Sequence, residues 1–119
     1  MTALNIAEVN ILTKYAFFKG TVKAGQEGAM RSYVQDTLEP LWREFKPSEH
    51  VQILYGVKSQ SDDPAIPLVL AVTYRDQASL DAAMESEARY KARDLLPQFY
   101  DRFFNEVTLQ HYLFEEHGS

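Results

Sequence analysis

Three histidines and a scatter of tyrosines, amides and one inward-looking lysine are the side chains in this cysteine-free sequence that could do chemistry. His50 falls at a strand entrance and His117 in the C-terminal tail, so both are expected in solvent. His111 sits in the alternating run Leu109-Gln110-His111-Tyr112-Leu113, and an imidazole with its ordinary pKa of about 6.5 can give or take a proton near neutrality. The alternation predicts that His111 faces the helices beside Leu109 and Leu113. A slip of one residue would turn it to the other face, where Tyr112 otherwise stands. His111 and Tyr112 are therefore the candidates for proton transfer.

A second set is polar where a packed face would be apolar. Lys19, Gln52, Thr73 and Gln110 are expected to converge on one sheet face among aromatics, where they would bind the oxygen atoms of a ligand or pair across an interface. Tyr15, Tyr55 and Tyr74 fall near strand centres or ends and are expected mainly to pack. No histidine pairs with another ligand at metal-binding spacing, and thiolates are absent, so neither a metal nor a cofactor is expected. The segment Lys23-Ala24-Gly25-Gln26-Glu27-Gly28 lacks the spacing of a phosphate loop. Glu85 with Arg89 and Glu87 with Lys91, at four-residue spacing, predict a solvated helix face.

The elements that must position these residues follow from periodicity. A strand is predicted over Leu12 to Lys23, with the even positions Ala16, Phe18, Gly20 and Val22 small or apolar. Met30, Tyr33, Val34, Leu38, Leu41, Trp42 and Phe45 form a helical stripe that places Trp42 in the core. Pro40 within it predicts a kink, or a helix that restarts near Glu39. Strands follow over Val51 to Lys58 and Leu68 to Arg75, joined by the turn-rich loop Ser59 to Pro67, which is expected to be mobile. Asp76 or Ser79 would cap a second helical stripe running from Leu80 to Phe103. Unbroken, that stripe would reach roughly 40 Å, too long for the sheet, and the break is predicted just before Pro97. Val107 to Phe114 is the last strand.

The order is β-α-β-β-α-β, which predicts a ferredoxin-like α+β fold: a four-stranded antiparallel sheet with the helices on one face. Residues 1–119 are expected to form a single domain, with 1–11 and 115–119 as tails. A formal net charge of −5 and scattered basic residues argue against nucleic acid or an anionic membrane as the partner. The N-terminus has no signal-peptide pattern, so a cytoplasmic location is expected. The helix-free face would carry Tyr15, Phe17, Lys19, Thr21, Gln52, Leu54, Val69, Ala71, Thr73, Gln110, Tyr112 and Phe114. It is too apolar to be left wet, which predicts a second copy of the chain packed over it, with a cavity between the two sheets.

From Tyr15 to Glu115 the sequence resembles the dimeric α+β barrel superfamily, which includes EthD-like proteins, antibiotic-biosynthesis monooxygenases and muconolactone isomerases. The resemblance rests on the element order, on Leu38-Glu39-Pro40-Leu41-Trp42, and on Tyr74-Arg75-Asp76-Gln77-Ala78-Ser79-Leu80-Asp81-Ala82-Ala83-Met84-Glu85-Ser86. The histidine common in the first helix of EthD-like sequences has no counterpart between Gln26 and Phe45. What the resemblance implies is a homodimer that binds a small apolar or aromatic molecule, or transforms it without a metal by oxygenase-, isomerase- or cyclase-like chemistry. The alternatives are a non-catalytic ligand-binding module and a purely structural homodimer.

Overall fold

The computed structural model describes residues 11–58 and 65–116. The expected N-terminal tail up to residue 10, positions 59–64 of the loop expected to be mobile, and His117 lie outside the described residues. Four strands, β1 (Leu12–Val22), β2 (His50–Tyr55), β3 (Leu68–Tyr74) and β4 (Phe104–Glu115), form one antiparallel sheet in the order β2-β3-β1-β4. The two central strands are β1 and β3, and the helices lie on one face. This is the ferredoxin-like arrangement that the element order requires.

Register settles which residues face the helices. Tyr15 lies opposite Tyr112 and Ala71, and Phe17 opposite Gln110 and Val69, whereas Ala16 lies opposite His111 and Leu70. The even positions Leu12, Ala16 and Phe18 of β1 are buried against the helices together with Leu68, Leu70, Val72 and Tyr74 of β3. The odd positions face away. At the far end of β1 a register shift between Thr21 and Val22 bends the pairing with β4. A side chain at Gly20 would run into the backbone carbonyl of Glu106, so only glycine fits there.

The first helical rod comprises α1 (Glu27–Tyr33), a π-helical turn (Val34–Leu38) and α2 (Glu39–Trp42). Its buried residues are Met30, Val34, Leu38 and Trp42, a strict spacing of four. In an ideal α-helix such a stripe drifts by about 40° at each step, because four residues exceed the 3.6 of one turn. The wider π turn takes up that drift. The Glu39 amide donates to the Val34 carbonyl five residues back, and the helix restarts at Glu39 with Pro40 in its first turn, where the missing N–H costs nothing.

The second stripe is broken, but not at Pro97. Helix α3 (Gln77–Met84) is capped by Asp76, whose carboxylate accepts from the Ser79 amide at 2.8 Å. Helix α4 (Glu87–Phe103) starts at Ser86, which takes extended backbone angles and whose hydroxyl accepts from the Arg89 amide. Pro97 lies inside α4. The length argument required a break, and a capping serine ends and restarts a helix at lower cost than a proline removes it. The 17 residues of α4 span about 26 Å, which matches the sheet. Phe99 and Phe103 of α4 pack with Phe18, Tyr33 and Phe104 into the aromatic centre of the core.

Candidate functional site

Between the helix-bearing face of the sheet and helices α2 to α4 lies a half-enclosed cavity of about 160 Å³. Its walls are apolar: Ala16, Phe18 and Leu109 from the sheet, Trp42 from the end of the first rod and Phe45 from the turn after it, and Ala92 and Leu96 from α4. Polar groups are concentrated in Lys14, Tyr74, Arg89, Arg93 and His111. His111 is exposed and marks the mouth, whereas Tyr74 is fully buried.

These groups are held by few bonds. The Lys14 ammonium donates to the Met84 sulfur at 3.1 Å, and Arg89 Nη1 donates to the Met84 backbone carbonyl at 3.1 Å. Both cations are thus gathered where α3 ends. The Tyr74 hydroxyl is buried and has no hydrogen-bond partner among the described residues. Burial, and then the nearby Arg89 charge, lower the Lys14 pKa, while burial together with the charges of Lys14 and Arg89 lowers that of His111. The Tyr74 phenol is pushed up to about 12 by burial, against a smaller opposing pull from Arg89. At neutral pH the cavity therefore presents a neutral imidazole at its mouth and a neutral phenol in its interior, beside the cationic side chains of Lys14, Arg89 and Arg93.

Of the candidate catalytic and ligand-binding residues read from the sequence, His111 lines this cavity, and Tyr74 and Trp42, expected to pack, line it too. His111 faces the helices as the register predicted, and that is where the cavity lies. Lys19, Gln52, Thr73, Gln110 and Tyr112 stand on the opposite face, away from this space. The Lys19 ammonium lies 5.9 Å from the Tyr112 ring centre, the Tyr112 hydroxyl donates to Gln110 Oε1 at 3.0 Å, and the Thr73 and Thr13 hydroxyls are 3.1 Å apart. Gln52 is exposed on β2. Around them Tyr15, Phe17, Tyr112 and Phe114 stack edge to face and face to face, and Tyr15, Phe17 and Phe114 border a shallow concavity that Thr13 and Glu115 share. Tyr55 faces the helices beside Arg31, whose guanidinium lies 4.8 Å from its ring centre.

Sequence reasoning missed Lys14, Met84 and Arg89. A lysine between Leu12 and Ala16 on an otherwise apolar alternation was the available signal. Arg89 was read as the partner of Glu85, but Glu85 accepts instead from the Tyr90 hydroxyl, and Arg89 turns inward; the Glu87–Lys91 pair forms at 3.7 Å.

No family model matches the chain, and no curated protein matches it in sequence. Solved structures do match it in fold. An EthD family protein from Bacillus halodurans C-125 superposes with a TM-score of 0.62 at 17% identity, covering 86% of this chain and 96% of that one. SnoaB, a cofactor-independent oxygenase from Streptomyces nogalater, gives 0.59 at 14% identity over 92% and 95% of the two chains. What they share with this chain is the ferredoxin-like fold. A dimeric protein of unknown function and ferredoxin-like fold from Bacteroides fragilis gives 0.56 at 6% identity over 87% and 96%. Among the described residues, no helix is long and apolar enough to cross a membrane.

Proposed function

We propose that this ferredoxin-like protein binds a small, largely apolar organic molecule in the cavity between sheet and helices and acts on it by proton transfer, with His111 as the base. The observation that carries this reading is the composition of the cavity: an apolar chamber with a neutral imidazole at its mouth, beside the cationic side chains of Lys14, Arg89 and Arg93. A neutral imidazole can take a proton from an acidic C–H or O–H of the ligand. The electron pair left on the ligand becomes an enolate or phenolate, which Lys14 and Arg89 stabilise. Isomerisation, ring closure or reaction with dioxygen can each begin from such an anion, and the likeness to a cofactor-independent oxygenase supports that class of chemistry. The volume limits the ligand. A cavity of about 160 Å³ suits a single ring rather than a polycyclic body.

Trp42 is the sole tryptophan and lines the cavity, so its fluorescence reports occupancy directly. Ring-sized phenols are expected to change its emission saturably, and Ala92→Leu, which fills the cavity, is expected to abolish the effect. Binding that survives the filling would place the ligand elsewhere. Turnover is tested by exchange of an acidic ligand C–H with deuterated solvent: loss in His111→Gln with binding kept supports catalysis, while binding without exchange in the wild type favours the non-catalytic module.

A second reading concerns the opposite face. Leu54, Tyr112 and Phe114 are 42%, 42% and 55% exposed there, on a sheet face that no helix among the described residues covers. A second copy packed over it would form a homodimer, with Lys19, Gln52, Thr73, Gln110 and Tyr112 at the contact or around a second ligand space. The dimeric relative of the same fold supports this assembly.

A further inference from the structure

The cavity carries an unbalanced charge. Lys14, Arg89 and Arg93 line it, and no aspartate or glutamate does so among the described residues, in a chain whose formal net charge is −5. Arg93 has a neighbouring carboxylate, Asp94, at 3.7 Å, but the partners of Lys14 and Arg89 are uncharged. A thioether is a weak acceptor, so the Lys14 ammonium is left largely unsatisfied in a partly dry site. The fully buried Tyr74 hydroxyl, which also lines the cavity, is a donor with nothing to receive its proton among the described residues. Three unspent donors thus surround one space.

We infer that the ligand of this cavity is an organic anion of single-ring size whose carboxylate lies among Lys14, Arg89 and Tyr74, displacing Lys14 from the Met84 sulfur. The inference rests on the cavity being the binding site and adds the charge class of what enters it. A carboxylate supplies the acceptors that these donors lack, and its ring meets the apolar wall of Phe18, Trp42 and Leu96. A neutral ligand would leave Lys14 and Arg89 without compensation, and a cationic one would add to the positive charge that Lys14, Arg89 and Arg93 already bring.

Benzoate, benzyl alcohol and benzamidine share a ring and differ in charge. Titrated against the wild type at pH 7 with Trp42 fluorescence and thermal shift as readouts, benzoate is expected to bind at least tenfold more tightly than benzyl alcohol, and benzamidine not to bind. Lys14→Met is expected to erase most of the benzoate preference while leaving benzyl alcohol binding in place, and Arg89→Gln to do the same by a separate route. Equal affinity for benzoate and benzyl alcohol would overturn the inference and leave the cavity as the site. A preference that persists in both variants would also overturn it. If none of the three perturbs Trp42 or the melting temperature, the cavity reading falls and the charge inference with it.

Discussion

Lys14 and Met84 meet at 3.1 Å, an ammonium on the central strand β1 donating to a thioether at the last residue of α3. The contact ties the sheet to the point where the second helical stripe breaks, and it places a cation where the pattern around it is apolar. Burial and Arg89 both disfavour its charge.

Lys14→Met is therefore expected to stabilise the unliganded protein. Methionine has a similar length, keeps the packing against Met84, and removes a partly desolvated cation with no acidic partner among the described residues. A gain of about 1 kcal/mol would raise the melting temperature by roughly 3–6 °C in a domain of this size. Thermal denaturation at pH 7 checks it; a loss of stability would mean that Lys14 makes a favourable contact beyond Met84.

His111 should titrate below its usual midpoint, and the sign of the linked stability follows. The folded state disfavours the imidazolium, so stability is full above about pH 6.5 and falls as the pH drops through that value toward the lower folded midpoint. The imidazole resonances, followed by NMR, are expected to give a midpoint under 6.5 in the wild type and a higher one in Lys14→Met, where one repelling charge is gone. An unchanged midpoint in the variant would show that burial and Arg89 set it without Lys14.

Tyr74 behaves in the opposite sense. Its phenol is held neutral up to about pH 12, so the folded state gains relative stability below pH 10 that is lost as the pH rises from 10 toward 12. Other groups of the chain also ionise in alkaline solution, so the comparison must be with Tyr74→Phe rather than with wild type alone. That variant is expected to be neutral or slightly stabilised at pH 7, since it removes a buried hydroxyl without a partner, and to lose the alkaline slope. In ligand binding it should instead be weaker.

Phe17 tests the opposite face. Its ring lies 5.4 Å from that of Tyr112 and stacks on Tyr15 at 5.7 Å, at the centre of the aromatic cluster. If a second copy covers this cluster, Phe17→Asp buries an unpaired carboxylate and should convert a dimer to a monomer by light scattering at micromolar concentration. A monomeric wild type would dispose of the homodimer.

How far the sequence could be read depended on the range of the interaction involved. The strand alternation of β1 and β4 is local, and it placed Phe17, Tyr112 and His111 on the correct faces because each strand carries its own apolar parity. The charged groups of the cavity were illegible for the opposite reason. Arg89 has a suitable acid four residues away, and only the tertiary position of α4 decides that it turns inward to the Met84 carbonyl instead. The location of the cavity was equally hidden, because the width of the space between sheet and helices depends on how α2, α3 and α4 are set over the sheet. The π turn follows the four-residue spacing of Met30, Val34, Leu38 and Trp42, a signal that was present but subtle.

The break in the second helical stripe gives the sharpest paired test. Ser86 accepts from the Arg89 amide at 3.3 Å and donates to the Ala83 carbonyl at 2.7 Å, so it closes α3 and opens α4 with one hydroxyl. Ser86→Ala is expected to lose roughly 0.5–2 kcal/mol by urea denaturation, the usual worth of such a cap. It should also loosen Arg89, and so weaken benzoate binding. Pro97, exposed and inside α4, has no N–H to give the carbonyl one turn back. Pro97→Ala restores that bond and is expected to stabilise, by up to about 3 kcal/mol less whatever rigidity proline confers on the unfolded chain. Opposite signs for the two substitutions follow only if the helix ends at Ser86. Were the interruption at Pro97 instead, Ser86→Ala would be nearly silent, and Pro97→Ala would lengthen a helix past the point where the sheet can support it.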